Sequence, residues 1–151
     1  MLDDLDRRLL RILQSDPQQS VAQLAEAAFT TSPVASRRLA RLRNDGVIMA
    51  QEAVIDWRAL GYEVEVSLRI TLDKTAPRAF DDFIEAARGV REVIEIQTFL
   101  GRVDVRLSVI ARDMAQYQDI YRRHILGLPH IADIEALMHV ARIKSDEVLP
   151  V

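Results

Sequence analysis

At 151 residues, with 49% apolar side chains, no cysteine and a formal net charge of −3, the chain has enough apolar content for one ordinary domain or two small ones. It has no material for disulfides, thiolate metal sites or a cysteine nucleophile. The mild acidity argues against indiscriminate nucleic-acid binding, and no run of about 18 apolar residues reads as a membrane span. The acidic start MLDDLDRRLL does not read as a signal peptide, so the expected location is the cytoplasm. Residues 1–60 hold eight Arg against eight Asp/Glu, and residues 61–151 hold twelve Lys/Arg against fifteen. The negative balance thus lies in the second part, and two modules, 1–60 and 61–151, are expected.

In the first module Leu5, Leu9, Ile12 and Leu13 form an amphipathic stripe that Asp3 or Asp4 is placed to cap. Asp16-Pro17 ends that helix. Ser20-Val21-Ala22-Gln23 has the form of a capping box, and Val21, Leu24, Ala25 and Ala28 supply the buried face of a second helix. Ser32-Pro33 reads as an N-cap followed by proline at the first helical position, opening a third helix that runs to about Asn44 before Asp45-Gly46. Val47–Ala50 and Ala53–Ile55 are short apolar segments suited to a wing-like hairpin.

The third helix is the most informative segment. Between Thr31 and Asn44 it carries Arg37, Arg38, Arg41 and Arg43 and not one Asp or Glu. Ala35, Leu39 and Leu42 share one face, while Arg37 and Arg41 lie roughly 200–240° away from Ala35. Like charges four residues apart destabilise an isolated helix, so this face asks for an anionic partner. The segment reads as a helix-turn-helix with Ser32–Asn44 as recognition helix on double-stranded DNA. Thr31, Ser32, Pro33, Ser36 and Arg37 sit at the end that enters the major groove; Arg38, Arg41 and Arg43 are phosphate candidates. The bland alternative is a helical hairpin with solvated arginines. The DNA reading requires that the guanidiniums not be neutralised by internal carboxylates.

In the second module Glu63–Leu72 alternates strictly, with Val64, Val66, Leu68, Ile70 and Leu72 on one face, as a half-buried strand does. A helix follows over Pro77–Arg88, burying Phe80, Phe83, Ile84 and Ala87, then a strand over Val93–Leu100. The pattern repeats as strand Val103–Ile110, helix Met114–Ile125 and strand Ile134–Ile143. Two such units give an α+β fold of ferredoxin-like βαββαβ type, one antiparallel sheet with both helices on one face. The other face stays open, and a second copy of the chain is its simplest cover.

The order Leu5-Asp6-Arg7, Leu9-Leu10, Leu13-Gln14, Leu24-Ala25, Arg37-Arg38-Leu39, Arg41-Leu42 and Gly46-Val47-Ile48 resembles the Lrp/AsnC family of feast/famine regulators. Leu100-Gly101-Arg102-Val103-Asp104 matches that family's Gly-x-x-Asp sensing turn, and Asp113-Met114 with Tyr117 fits too. The resemblance covers nearly the whole chain. It implies a bacterial or archaeal transcription factor with a winged helix-turn-helix, dimeric through the βαββαβ domain. In such proteins four dimers often form an octameric ring, with an amino acid bound between dimers. The implied effector site is Thr98, Leu100, Gly101, Arg102, Asp104, Met114, Leu137, Met138 and His139. A glycine turn exposes backbone N–H groups to a carboxylate, and Asp104 suits an α-ammonium. Read without the resemblance, the same turn is an ordinary hairpin. Phe29-Thr30 stands where the family usually has glycine then leucine. Phenylalanine resists positive φ, so another turn geometry or strain is expected, with Phe29 replacing the core leucine. Arg102 alters the charge of the sensing turn.

The expectation is a regulator and not an enzyme, with no cofactor and no metal. His124, His130 and His139 lack metal spacing, Asp81-Asp82 reads as solvated, and neither a phosphate loop nor a nucleophile elbow occurs. Two alternatives stay open. Siroheme decarboxylase subunits resemble the same family, and there His139 and Arg102 would grip a tetrapyrrole. A stand-alone metabolite sensor would form the same dimer without DNA affinity.

Overall fold

The computed structural model describes residues 1–144 and 148–151, and its contacts divide the chain into two compact units, 1–54 with 144–151, and 55–143. In the first unit three helices, α1 (Asp4–Ser15), α2 (Val21–Ala27) and α3 (Ser32–Asn44), enclose a small core of Leu9, Leu13, Leu24, Ala25, Ala28, Ala35 and Leu39. Asp3 caps α1 and Ser20 caps α2, each closing a reciprocal capping box, with Asp6 and Gln23 respectively. Val21, expected in the core, is exposed; it is the first residue of α2 and stands at the end of that helix.

At α3 the cap is one residue earlier than expected. Thr31 is the N-cap, Ser32 is helical, and the Thr31 side chain makes no capping hydrogen bond. The expected hairpin is absent: residues 49–56 form no strand. Met49, Val54 and Ile55 are exposed there, so the segment has no buried face to fix a pairing register. Gln51 ties it down instead, accepting from Arg43 Nη2 at 3.2 Å and donating to the Pro17 carbonyl at 3.0 Å.

In the second unit β1 (Val64–Leu72), α4 (Ala79–Arg88), β2 (Val93–Thr98), β3 (Val105–Ala111), α5 (Met114–Ile120) and β4 (Ile131–Met138) build a four-stranded antiparallel sheet in the order β2-β3-β1-β4. α5 passes into a wide turn over Tyr121–Ile125, closed by the Leu126 N–H on the Tyr121 carbonyl. Val66, Leu68, Ile70 and Leu72 of β1 pack with Phe83, Ala87, Leu107, Val109, Ile120 and Ile125. Phe80 is exposed and Ala79 is buried in its stead. β4 begins and ends earlier than Ile134–Ile143, with Ile70 opposite Ile134 and Val66 opposite Met138; His139 lies just beyond it. Among the described residues no helix is long and apolar enough to cross a membrane.

Candidate DNA-binding surface and effector site

α3 buries Ala35, Leu39 and Leu42, as its apolar spacing requires, and leaves Thr31, Ser32, Pro33, Ser36 and Arg37 exposed. Among the described residues Arg37 has no carboxylate partner, and Arg43 meets only the Gln51 amide. Arg38 and Arg41 behave differently. Arg38 Nη1 lies 2.5 Å from Asp3 Oδ2 and 3.3 Å from Asp6 Oδ1, and Arg41 Nη2 lies 2.5 Å from Asp6 Oδ2. Asp6 is 0% exposed, and a carboxylate taken out of water needs such partners. The expectation of four unneutralised guanidiniums therefore fails for two of them. Local sequence cannot reveal this, because Asp6 stands 32 and 35 residues from the arginines it meets. Asp3 is held below its ordinary pKa, chiefly by the Asp6 N–H and then by Arg38, and the same hydrogen bond raises Arg38.

The turn before α3 carries the strain that Phe29 implied. Phe29 adopts φ 56. Its N–H reaches the Glu26 carbonyl and the Thr30 N–H the Ala25 carbonyl, the pattern of a Schellman motif, whose left-handed position glycine usually fills. The side chain does not enter the core in place of leucine: it is 88% exposed.

The nine expected effector residues fall at opposite ends of one sheet. Thr98 pairs with Val105 and begins the 99–104 hairpin, which carries Leu100, Gly101, Arg102 and Asp104 beside the end of β1. Leu137 pairs with Ser67 and Met138 with Val66, near the start of β1. There His139 donates its N–H to the Glu65 carbonyl. Met114 follows β3 at that same end and is exposed. Thr71 lies four residue steps along the strand from Ser67, roughly 13 Å, so the two groups do not meet within a single chain.

Asp104 is 5% exposed. Oδ2 accepts the Leu72 N–H at 2.9 Å, and Oδ1 lies 2.7 Å from Lys74 Nζ. Burial pushes its pKa upward, but the Leu72 N–H and Lys74 outweigh that and leave it lowered. Its carboxylate thus already has partners inside the chain. Next to it, on the open sheet face, Arg69, Thr71, Arg102, Val103, Asp133 and Glu135 line a hollow of about 410 Å³. Arg69 and Glu135 face each other at 3.7 Å; among the described residues Arg102 and Asp133 have no ion pair.

At the other end of that face stands a group that sequence reasoning missed. Glu65 is buried beneath Arg142 (2.8 Å), His139 (3.6 Å) and Arg58 (3.8 Å), and Ser108 Oγ donates to it at 3.2 Å. Its Oε2 accepts no hydrogen bond among the described residues. The only sequence signal was a glutamate within the alternating strand. Among the described residues no group of three or more His, Cys, Asp or Glu is arranged to hold a metal ion.

The architecture and the sequence agree with those of known proteins. A model described as winged helix-turn-helix DNA-binding matches residues 2–49, and the Lrp/AsnC ligand binding domain matches residues 65–149. The chain is 28% identical over 151 residues to the DNA-binding transcriptional activator DecR of Escherichia coli K12, covering 100% of this chain and 99% of that protein. It superposes with a TM-score of 0.89 and 32% identity on an AsnC family transcriptional regulator from Agrobacterium tumefaciens, covering 99% and 97% of the two chains. A Neisseria meningitidis transcriptional regulator solved with L-Met gives 0.91 at 21% identity and the same coverage, a likeness of fold. With both modules matched in this order, the chain belongs to the Lrp/AsnC family of DNA-binding transcriptional regulators.

Proposed function

We propose that α3 enters the major groove by its N-terminal half, in a sequence-specific regulator whose second unit pairs with a copy of itself and binds an amino acid. The observation that carries this reading is the exposed end Thr31, Ser32, Pro33, Ser36 and Arg37, where Arg37 has no carboxylate partner among the described residues. The first-turn N–H groups of α3, which receive no side-chain cap, favour a phosphate there. Arg37 and Arg43 are the better phosphate ligands. Arg38 and Arg41 fix α3 against α1 and contribute to the field with their charge partly compensated.

The hollow at Arg102 is the better effector candidate within one chain. It offers a guanidinium for an α-carboxylate and Asp133 for an α-ammonium, the pairing that an amino-acid zwitterion needs. Binding to one assembly in preference to another shifts the population between them. Relatives such as the proline dehydrogenase transcriptional activator of Rhizobium radiobacter, 27% identical over 144 residues, favour regulation over catalysis. No cofactor is invoked, and the cytoplasm is the site of action.

A gel shift on the DNA flanking the protein's own gene tests this. If a dimer neutralises roughly 6–10 phosphates, affinity falls about 10³–10⁵-fold between 50 and 200 mM salt. A flat salt response rejects the reading. Calorimetry against the twenty amino acids with wild type and Arg102→Ala tests the hollow, where the variant is expected to lose the binding.

A further inference from the structure

Phe29 occupies a position that is unfavourable on two counts. A side chain bearing a Cβ clashes with its own backbone in the left-handed region, and an aromatic ring left in water gains nothing from burial. Neither is relieved inside its own unit, since φ is 56 and the side chain is 88% exposed. The fold does not require an aromatic residue here. The turn is closed by backbone hydrogen bonds from Phe29 to Glu26 and from Thr30 to Ala25, and glycine would make both without strain. Strain that the fold does not need is a pointer to function. What surrounds Phe29 in sequence is the exposed row Thr31, Ser32 and Pro33 at the start of α3. Phe29 therefore stands beside the end of α3 that the proposed docking turns toward the base edges.

We propose that Phe29 is a specificity-determining residue, an apolar probe that packs on a thymine C5-methyl group in the major groove. Thymine alone among the four bases offers an apolar group there, and aromatic contact with it is a known mode of reading. The inference rests on the proposed docking of α3 and adds a base preference to it. Phe29 carries no charge, so it contributes to discrimination and not to the salt-dependent grip.

The test uses full-length protein and a duplex that the wild type selects from a randomised pool. Failure of the wild type to enrich any duplex rejects the docking of α3 itself, a result distinct from those that follow. Phe29→Gly is expected to raise the melting temperature, because the strain is gone. It is expected to lower affinity for the selected duplex about tenfold, within the span of one lost base contact, and to change affinity for an unselected duplex less than twofold. Phe29→Asn, which also tolerates positive φ, is expected to do the same. Replacing thymines of the selected duplex one at a time by deoxyuridine removes single methyl groups. One such change is expected to weaken the wild type and leave Phe29→Gly unaffected. The proposal is overturned if Phe29→Gly binds the selected duplex as tightly as wild type, or if it loses selected and unselected DNA equally. Equal sensitivity of both proteins to every deoxyuridine overturns it too. A fall in solution mass for Phe29→Gly overturns it by moving the ring to a contact between chains.

Discussion

Each unit buries one carboxylate among arginines, and the two are finished differently. Asp6 in the first unit has both oxygens engaged by Arg38, Arg41 and the Asp3 N–H. Glu65 in the second keeps Oε2 without a hydrogen bond among the described residues, although two arginines and a histidine gather within 3.8 Å. Asp6 lies where α1 and α3 meet, so its partners are supplied once the helices pack. Glu65 lies on the sheet face that α4 and α5 do not cover. A buried acceptor left open is costly, which is the physical reason to expect a further donor on that face. The comparison separates arginines that hold a fold from arginines placed for something outside it.

Removing Asp6 should have the largest effect. Asp6→Ala deletes half of the α1 capping box, leaves Arg41 without its carboxylate and leaves Arg38 with Asp3 alone, at a cost of about 2–3 kcal/mol. That is below the range for a fully buried pair, because Arg38 and Arg41 keep access to water. Thermal unfolding of the first unit should then shift down by roughly 10 °C, with the second unit unmoved. A shift shared equally by both units would break the comparison.

Glu65→Ala should do less to folding and more to self-association. It leaves Arg58 and Arg142 on the open face without their counter-charge. With that face as the contact between copies, the dimer dissociation constant should rise at least about tenfold, since like charges brought together across an interface are penalised. Sedimentation equilibrium reads this directly, and an unchanged mass would move the contact elsewhere.

The arginines of α3 sharpen the same distinction. Arg37→Ala should weaken binding to all duplexes and lower the slope of log K against log salt by about one, with stability unchanged. Arg41→Ala should lower the melting temperature of the first unit as well, because it removes a partner of Asp6. Identical behaviour of the two variants would mean that the Asp6 contact contributes nothing.

What the sequence made legible follows the range of the forces involved. The cap of α1, at Asp3 of the two candidates, the capping box at Ser20 and the alternation of β1 act over a few residues, and they are where the sequence indicated. β4 is different. Ile131, Ile134 and Leu137 recur every three residues, which does not alternate as a strand does and so gives no clean strand limits. Its limits come from pairing with β1, including an irregularity between Thr71 and Leu72. That register divided the expected effector residues between two ends of the sheet. The hydrogen bonds that Asp6 accepts from Arg38 and Arg41, and Glu65 from Ser108 and Arg142, span 32 to 77 residues, beyond anything local periodicity reports. Phe29 was readable as strain, but its exposure was not, because whether a ring fills a core depends on what the core already holds.

The smallest effect expected concerns Asp104, whose partners lie within its own unit like those of Asp6 but include a lysine that is largely in water. Its folded pKa is lowered, so the unfolded chain takes up a proton before the folded one does. The stabilisation is complete above the unfolded value of about 3.9 and drains away as pH falls through the lower folded value. Asp104→Asn keeps an oxygen for the Leu72 N–H and removes the charge. At pH 7 the variant should therefore unfold at slightly lower denaturant concentration than wild type, and the gap should narrow only below about pH 4. A gap that persists unchanged into acid would mean that Asp104 acts through packing and hydrogen bonding alone. In that case its pairing with Lys74 would be as incidental as most surface ion pairs.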